Sequence, residues 1–169
     1  MVVVQVGIGS NVGDRMTTIR RAVGALSTAG EILATSSIYE TVPFGLTDQP
    51  DFLNCCVTLD TPLAPGELLE RTRAIEHELG RVAGPRWGPR TADIDILLYG
   101  DRSVRTPELA VPHPGLLERA FVLVPLAEIA ADQSIPGAHV TVAEALARVA
   151  RKAGDVRRVA PPPERRAFP

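Results

Sequence analysis

The spacing of apolar residues along the first hundred positions predicts strands and helices in alternation. A β-branched run at residues 2–8 predicts a strand, followed by a tight turn at residues 9–13. Apolar side chains then recur at helical spacing, which predicts a helix that begins at Asp14 and ends before Gly30. The same patterns predict four further elements: strands at 32–40, 52–59 and 92–99, and a helix that begins after Pro65 and ends near Gly80.

The predicted order, strand-helix-strand-strand-helix-strand, is that of a ferredoxin-like βαββαβ core in the α+β class. An extra C-terminal strand and helices are expected beyond this core. Residues 104–111 predict a short edge strand, and residues 116–131 predict a helix broken by Pro125. Thr141 and Glu144 have the spacing of a capping box at the start of a last helix.

Length and composition indicate one globular domain. The chain has 169 residues, of which 45% are hydrophobic and 22% charged, enough to bury a sizeable core. We expect a single domain over residues 1–159 and a loose, proline-rich tail over residues 160–169.

The charge balance argues against a large polyanionic partner. Eighteen basic and twenty acidic residues give a formal charge of −2, so we expect neither nucleic-acid nor membrane binding. The N-terminal apolar run is too short for a signal peptide. Cys55 and Cys56 are neighbours that a strand would point to opposite faces, which disfavours a disulfide. We expect a cytoplasmic monomer.

Asp93 and Asp95 are the main candidates for chemistry, because they interrupt an apolar strand and share one of its faces. Two ionised carboxylates at that spacing repel each other by about 2 kcal/mol at an effective dielectric near 20. Two Mg²⁺ ions that share carboxylates and substrate phosphates would relieve this repulsion. The alternative is an ordinary solvent-facing surface with two salt bridges.

The segment before this strand, residues 81–90, contains three arginines, two Gly-Pro pairs and the only tryptophan. Such a loop can move, bring guanidinium groups to phosphate oxygens and close an aromatic side chain over a site. Taken alone, it could also be a solvated surface turn. Together with the aspartate pair, it favours binding of a nucleoside triphosphate.

The standard phosphate-binding motifs are absent from the sequence. Gly7 and Gly9 begin like a dinucleotide fingerprint, but Val12 stands where the third glycine is needed. There is also no P-loop motif, and the single lysine, Lys152, lies near the C-terminus. A triphosphate would therefore be held in another way.

A flat heterocyclic ligand is suggested by Phe52 and Asn54, which lie two residues apart on one strand face, with Phe44 nearby. The alternative is that Phe52 is a simple core residue. His113, between two prolines, could contact a phosphate or leaving group, although a lone histidine is more often structural.

With these residues in view, the sequence resembles the 6-hydroxymethyl-7,8-dihydropterin pyrophosphokinases. The family's hallmark run is matched by residues 86–97, RWGPRTADIDIL. Supporting matches extend from residue 2 to about 130: Gly9-Ser10-Asn11, Asp48 to Asn54, Glu76, Gly80-Arg81-Val82, Val111-Pro112-His113 and Arg119-Ala120-Phe121.

The resemblance implies that the pterin hydroxymethyl oxygen attacks the β-phosphorus of ATP and that AMP leaves. It implies two Mg²⁺ ions with ATP, held by Asp93 and Asp95. The implied catalytic residues are Arg81, Trp87, Arg90, Asp93 and Asp95. The implied pterin contacts are Thr41, Phe44 through its backbone, Phe52, Asn54 and Phe121. The implied further ATP contacts are Glu76, Arg86, His113 and Arg119.

Segments 42–51 and 81–90 resemble the family's mobile loops, which close over the substrates. Three other functions share parts of this pattern. A non-catalytic pterin or nucleotide binder could use the same scaffold. An RNA-recognition domain has the same element order but would need aromatic motifs that are absent here. A different ATP-dependent kinase would release ADP instead of AMP.

Overall fold

The computed structural model describes residues 1–45, 47–82 and 88–164. The strands are β1 (Val2–Ser10), β2 (Glu31–Thr35), β3 (Ile38–Thr41), β4 (Phe52–Thr61), β5 (Asp93–Tyr99), β6 (Val104–Arg105), β7 (Ala110–Val111), β8 (Ser134–Ile135), β9 (Val140–Thr141) and β10 (Val156–Ala160). The helices are α1 (Arg15–Leu26), α2 (Pro65–Glu78), α3 (Ala120–Ala130) and α4 (Val142–Arg148).

The main sheet is antiparallel and has β1 near its centre. Its order is β10-β3-β4-β1-β5, and β2 pairs with β4 alongside β3. The chain is therefore a mixed α and β structure with helices packed on an antiparallel sheet, as the predicted element order indicates. The ends of β1 and β5 lie side by side, which places Gly9 opposite Asp93 and Gly7 opposite Asp95.

Helices cover both faces of this sheet. The alternating apolar residues of β1, from Val4 to Ile8, form one core with α1 and α2. The opposite face carries a second core, where Leu97 packs with Leu123 of α3 and Val142 of α4. Because the second pair of helices covers only part of its face, the ends of β1, β4 and β5 are left accessible there.

The predicted helix starts are confirmed at two positions. Asp14 caps α1, since its carboxylate accepts the Thr17 N–H at 3.0 Å. The predicted capping box is present at α4, where Thr141 and Glu144 each accept the other's backbone N–H, at 3.2 and 2.8 Å.

The predicted strand at residues 32–40 is two strands, β2 and β3. Both lie along β4, and the break falls at Ser36 and Ser37. The Ser36 hydroxyl accepts the Cys56 N–H at 2.8 Å, a bond that a strand carbonyl would ordinarily accept. A side chain thus replaces a backbone partner, which interrupts the ladder without leaving the amide unpaired.

The predicted edge strand at residues 104–111 is wrong, because this segment forms the β6–β7 hairpin and pairs with itself. Its turn is closed at Thr106, whose N–H donates to the Leu109 carbonyl at 2.8 Å. The Thr106 hydroxyl accepts the Leu109 N–H at 3.0 Å. These bonds reverse the chain before it can join the main sheet.

The predicted helix at residues 116–131 is broken, but not at Pro125. A short 3-10 turn, Leu116–Glu118, is separated from α3 by Arg119, which is extended with φ −111° and ψ 94°. Helix α3 continues through Pro125, which is buried. A proline removes only one donor, and burial of neighbouring residues such as Leu123 and Leu126 offsets that loss.

The sequence patterns did not predict the β8–β9 hairpin or β10. The predicted loose tail begins with Ala160, but Ala160 is the last residue of β10 and lies opposite Ile38. That part of the tail prediction is wrong, because backbone pairing along the edge of β3 orders the residue. Residues 165–169 of the predicted tail lie outside the described part of the chain.

Gly30→Ala is expected to lower the free energy of unfolding by about 1–3 kcal/mol, the usual range for overpacking. A Cβ at Gly30 would lie 2.3 Å from the Asp60 carbonyl oxygen and 3.0 Å from the Thr61 Cα, so the backbone of β4 would have to move. Urea unfolding measures the change. The control is Gly66→Ala in α2, where a Cβ meets nothing within 4 Å. Equal unfolding midpoints for the two variants would contradict this prediction.

Candidate active site

A cavity of about 540 Å³ opens at the accessible ends of β1, β4 and β5. Its floor is the sheet, and its walls come from residues after β3, the start of α3 and the segment before the 3-10 turn. The cavity is lined by ten of the predicted site residues: Thr41, Phe44, Phe52, Asn54, Arg90, Asp93, Asp95, His113, Arg119 and Phe121.

The floor of the cavity is open because β1 contributes glycines to it. Gly9 belongs to β1, so the predicted tight turn at residues 9–13 begins later than expected. A Cβ at Gly9 would lie 2.8 Å from the Asn54 Oδ1 and 3.7 Å from a ring carbon of Phe52. The lack of a side chain at Gly9 therefore leaves room for the side chains of Asn54 and Phe52.

Asp93 and Asp95 lie on the cavity side of β5, as their spacing predicts, while Ile94 packs into the opposite core. The Asp93 Oδ1 accepts from Arg90 at 2.6 Å and from Arg81 at 2.9 Å. The positive charge expected near the pair therefore contacts Asp93. The Asp93 carboxylate and both guanidinium groups are partly buried.

Glu76 and Arg81 lie behind this pair and do not line the cavity. Glu76 is buried in α2, where it is bonded to Arg81 and accepts the Ile94 N–H at 2.7 Å. Burial raises the pKa of Glu76. The carboxylate connects α2 to the backbone of β5 and orients the Arg81 guanidinium toward Asp93.

Burial, together with the neighbouring Asp93 carboxylate, raises the pKa of Asp95 to about 7. Burial and the positive charge of Arg119 lower the pKa of His113 to about 4, so this imidazole is neutral near pH 7. His113 Nδ1 accepts the Gly115 N–H at 3.1 Å, which leaves the ring proton on Nε2. His113 Nε2 lies 3.8 Å from Asp95 Oδ2 and faces the cavity as a donor.

On the other side of the cavity, Thr41 and Asn54 are buried and form a pair. The Asn54 Nδ2 donates to the Thr41 hydroxyl at 2.7 Å. This bond fixes the carboxamide, so that its polar atoms have a defined direction beside Phe52. The arrangement suits recognition of the polar edge of a flat ring.

Phe44 and Phe121 face each other at the cavity wall, with ring centroids 6.2 Å apart and a tilt of 49°. The Arg119 guanidinium lies 5.7 Å from the Phe44 centroid and 5.9 Å from the Phe121 centroid. The family resemblance implies that Arg119 contacts ATP. In the structure it contacts two of the aromatic residues expected to bind the pterin.

Asn11 is a site residue to which the sequence assigned no role. Its buried side chain donates to the Gln49 Oε1 at 3.0 Å and to the Pro50 carbonyl at 2.9 Å, and it accepts the Arg90 N–H at 2.8 Å. Asn11 thus joins the two segments that flank the cavity. The available signal was a carboxamide directly after the predicted strand, in the Gly9-Ser10-Asn11 match, but its partners are distant in sequence.

Two predicted residues, Arg86 and Trp87, lie outside the described residues. Cys55 and Cys56 are both buried, and burial raises the pKa of the Cys55 thiol to about 12. Such thiols stay protonated and are poor nucleophiles.

No helix in the described part of the chain is long and apolar enough to cross a membrane. A family model described as 7,8-dihydro-6-hydroxymethylpterin-pyrophosphokinase (HPPK) matches residues 5–131.

Two bacterial relatives are both named 2-amino-4-hydroxy-6-hydroxymethyldihydropteridine pyrophosphokinase. The chain is 54% identical to the Bacillus subtilis protein over 126 residues, which cover 73% of this chain and 75% of that protein. It is 50% identical to the Methylorubrum extorquens protein over 145 residues, which cover 85% and 90%.

Among solved structures, the chain is similar to wild-type Plasmodium falciparum HPPK-DHPS with pterin and p-hydroxybenzoate. The TM-score is 0.71 at 16% identity, and the match covers 87% of this chain and 43% of that chain. The chain thus spans less than half of that longer protein, and this likeness concerns the fold.

Proposed function

The chain belongs to the 7,8-dihydro-6-hydroxymethylpterin-pyrophosphokinase family, and we propose how its residues carry out the reaction of that family. The chain is an ATP-dependent diphosphotransferase of folate biosynthesis. It transfers pyrophosphate from ATP to the hydroxymethyl group of 6-hydroxymethyl-7,8-dihydropterin, which gives the pterin diphosphate and AMP.

The scaffold we propose is a ferredoxin-like βαββαβ core. It is formed by β1, α1, β4, α2 and β5, with β2 and β3 together in the place of its second strand. The order β3-β4-β1-β5 and the antiparallel pairing support it. We also propose one domain that ends with Ala160, the last residue of β10, and a tail formed by the residues after it. We also propose a cytoplasmic monomer. The two cysteines are free, as is usual in a reducing compartment.

Asp93 and Asp95 are the proposed ligands of two Mg²⁺ ions. No group of three or more metal-ligating side chains occurs among the described residues. Two carboxylates on one cavity wall fit Mg²⁺, which takes few protein oxygens and completes its shell with water and phosphate. Bound there with ATP, the ions would neutralise phosphate charge. The protein's own contribution is to hold Asp93 in place through Arg81 and Arg90.

Binding of the triphosphate is proposed at the β5 side of the cavity. Arg90 and His113 line the cavity next to the aspartates, and both present N–H donors to it. Arg81 is proposed to act from behind Asp93, and Arg119 from the opposite wall. Glu76, through Arg81 and β5, supports this side of the cavity. The family resemblance adds Arg86 and Trp87 to the proposal.

Binding of the pterin is proposed between the aromatic walls. Phe52 and Phe121 would stack on the two faces of the ring, and the backbone of Phe44 with the fixed Thr41–Asn54 pair would bond to its polar edge. Bound in this way, the hydroxymethyl oxygen points toward β5. It attacks the β-phosphorus, the bond to the α-phosphate oxygen breaks, and AMP leaves with that oxygen.

The observation that carries this proposal is one cavity with an aspartate pair and arginine on one side and aromatic and amide groups on the other. The test is to incubate the protein with ATP, Mg²⁺ and 6-hydroxymethyl-7,8-dihydropterin and to identify the nucleotide released. Pterin-dependent AMP is expected. Release of ADP would indicate a different kinase, and ATP binding without turnover would indicate a binding protein.

Mg²⁺ binding to the protein without nucleotide is expected to be about tenfold weaker at pH 6 than at pH 8, as for a ligand that must lose one proton of pKa about 7. The affinity falls at low pH because the raised pKa keeps Asp95 protonated below pH 7, and a protonated carboxyl binds the cation poorly. Calorimetric titration with Mg²⁺ at both pH values measures this. The Asp95→Asn variant is expected to bind Mg²⁺ weakly and with the same affinity at both pH values. Equal Mg²⁺ affinity of the wild type at pH 6 and pH 8 would refute the prediction.

A further inference from the structure

Strand β10 joins the sheet where one wall of the cavity begins. It pairs with β3 so that Val156 lies opposite Thr41 and Arg157 opposite Glu40. The Val42 N–H then donates to the Asp155 carbonyl at 3.2 Å. We call residues 42–45 and 47–51 the β3–β4 segment. The family model matches residues 5–131, so β10 lies outside the matched residues.

Glu40, in β3 just before the β3–β4 segment, connects β10 to the far end of that segment through Arg15. One carboxylate oxygen accepts from Arg157, and the other accepts from Arg15 at 3.1 Å. Arg15 also donates to the Asp51 carbonyl at 2.7 Å. Arg157 and Arg15 together hold the pKa of Glu40 below its ordinary value, so the carboxylate is ionised near pH 7.

The β3–β4 segment carries Phe44 to the cavity wall, where its ring meets Phe121. We propose that Arg157, acting through Glu40 and Arg15, is a positioning residue that holds this segment where Phe44 can contact the pterin. This inference rests on the proposed function of the cavity as the pterin site. A merely structural role of Arg157 would stabilise the sheet edge without changing the segment or pterin binding.

The test uses the full chain with Arg157→Ala and two readouts. The first is hydrogen exchange of the β3–β4 segment amides in the protein without substrates. The second is steady-state kinetics with the pterin and ATP varied in turn. We expect both the exchange and the KM for the pterin to rise about two- to fivefold, the effect of one surface ion pair. The kcat and the KM for ATP are expected to change less than about twofold.

Two variants separate positioning from general loss of stability. Arg157→Lys keeps the positive charge and is expected to restore most of the wild-type behaviour. Arg158→Ala removes the neighbouring arginine of the same strand, which donates to the Ser37 hydroxyl at 2.8 Å and has no contact with Glu40 in the described structure. It is expected to leave the segment and the KM for the pterin unchanged. Glu40→Gln, which weakens both arginine contacts, is expected to act at least as strongly as Arg157→Ala.

Unchanged exchange of the β3–β4 segment in Arg157→Ala, or an equal rise in Arg158→Ala, would overturn the positioning role. Raised exchange with an unchanged KM for the pterin would overturn its connection to the substrate. Failure of the wild type to release pterin-dependent AMP would instead refute the proposed function. Failure of the proposed function and failure of the positioning role can be distinguished, because the exchange experiment needs no substrate.

Discussion

Asp95→Asn is expected to lower kcat for pterin-dependent AMP release by about 10³-fold or more, because metal-assisted charge stabilisation contributes several kcal/mol. The substitution keeps the size of the side chain but removes the negative charge of a proposed Mg²⁺ ligand. Its neighbour Asp93 remains bonded to Arg81 and Arg90, so the rest of the site is retained. The measurement is the rate of AMP formation at saturating ATP, Mg²⁺ and pterin.

The matched control is Asp101→Asn, because Asp101 is exposed just after β5 and lies outside the cavity. It is expected to retain wild-type activity. Since ionisation of Asp95 is disfavoured by burial, the Asp95→Asn protein without metal is expected to be at least as stable as the wild type at pH 8. Activity within about tenfold of the wild type would show that Asp95 is not a required metal ligand.

Arg90→Ala is expected to lower kcat by about 10²-fold or more while the Kd for ATP changes less than about threefold. Pyrophosphoryl transfer depends on positioning and on stabilising charge as it redistributes, so a guanidinium beside the aspartates acts mostly in the transition state. Kinetics with saturating substrates and equilibrium titration with a non-hydrolysable ATP analogue measure the two quantities separately.

Arg90→Lys is expected to recover part of the rate, because an ammonium group keeps the charge but loses the planar fork. Arg105→Ala, at an exposed position of β6, serves as the control for loss of an arginine. Equal losses in kcat and in ATP affinity would contradict the prediction. They would indicate that Arg90 also stabilises ATP in the ground state, because a residue that acts only in the transition state lowers kcat without changing the Kd for ATP.

The element order up to β5 and the position of the aspartate pair could be predicted because both depend on neighbouring residues. Alternation in β5 places Asp93 and Asp95 on one face whatever the rest of the chain does. Phe52 and Asn54 share a face of β4 for the same reason, and both line the cavity. The roles that the family resemblance implies for these residues stay predictions until the variants are measured.

The predictions that failed concern segments whose structure depends on distant partners. The break between β2 and β3 exists because the Ser36 hydroxyl pairs with Cys56, twenty positions later in the sequence. Strand β10 is ordered by pairing with β3, although its own sequence has no clear strand pattern. Periodicity within a segment contains no information about such partners.

The same limit applies to parts of the candidate site. Asn11 bridges Pro50 and Arg90, and the latter is 79 positions away. Arg119 lies over Phe44 and Phe121 because α3 begins at the cavity wall. Glu76 was expected near the nucleotide, yet it supports β5 from behind through the Ile94 N–H.

The sequence by itself determined the order of strands and helices up to β5, apart from the break between β2 and β3. It also determined the face of β5 that carries the two aspartates and the family resemblance, because these depend on local spacing and residue identity. The tertiary structure alone decided which of those residues meet in one cavity, which lie behind it, and which distant partners Asn11, Glu40 and β10 have beside it. Those outcomes depend on contacts between residues far apart in the chain, which form only when the helices and the sheet pack together.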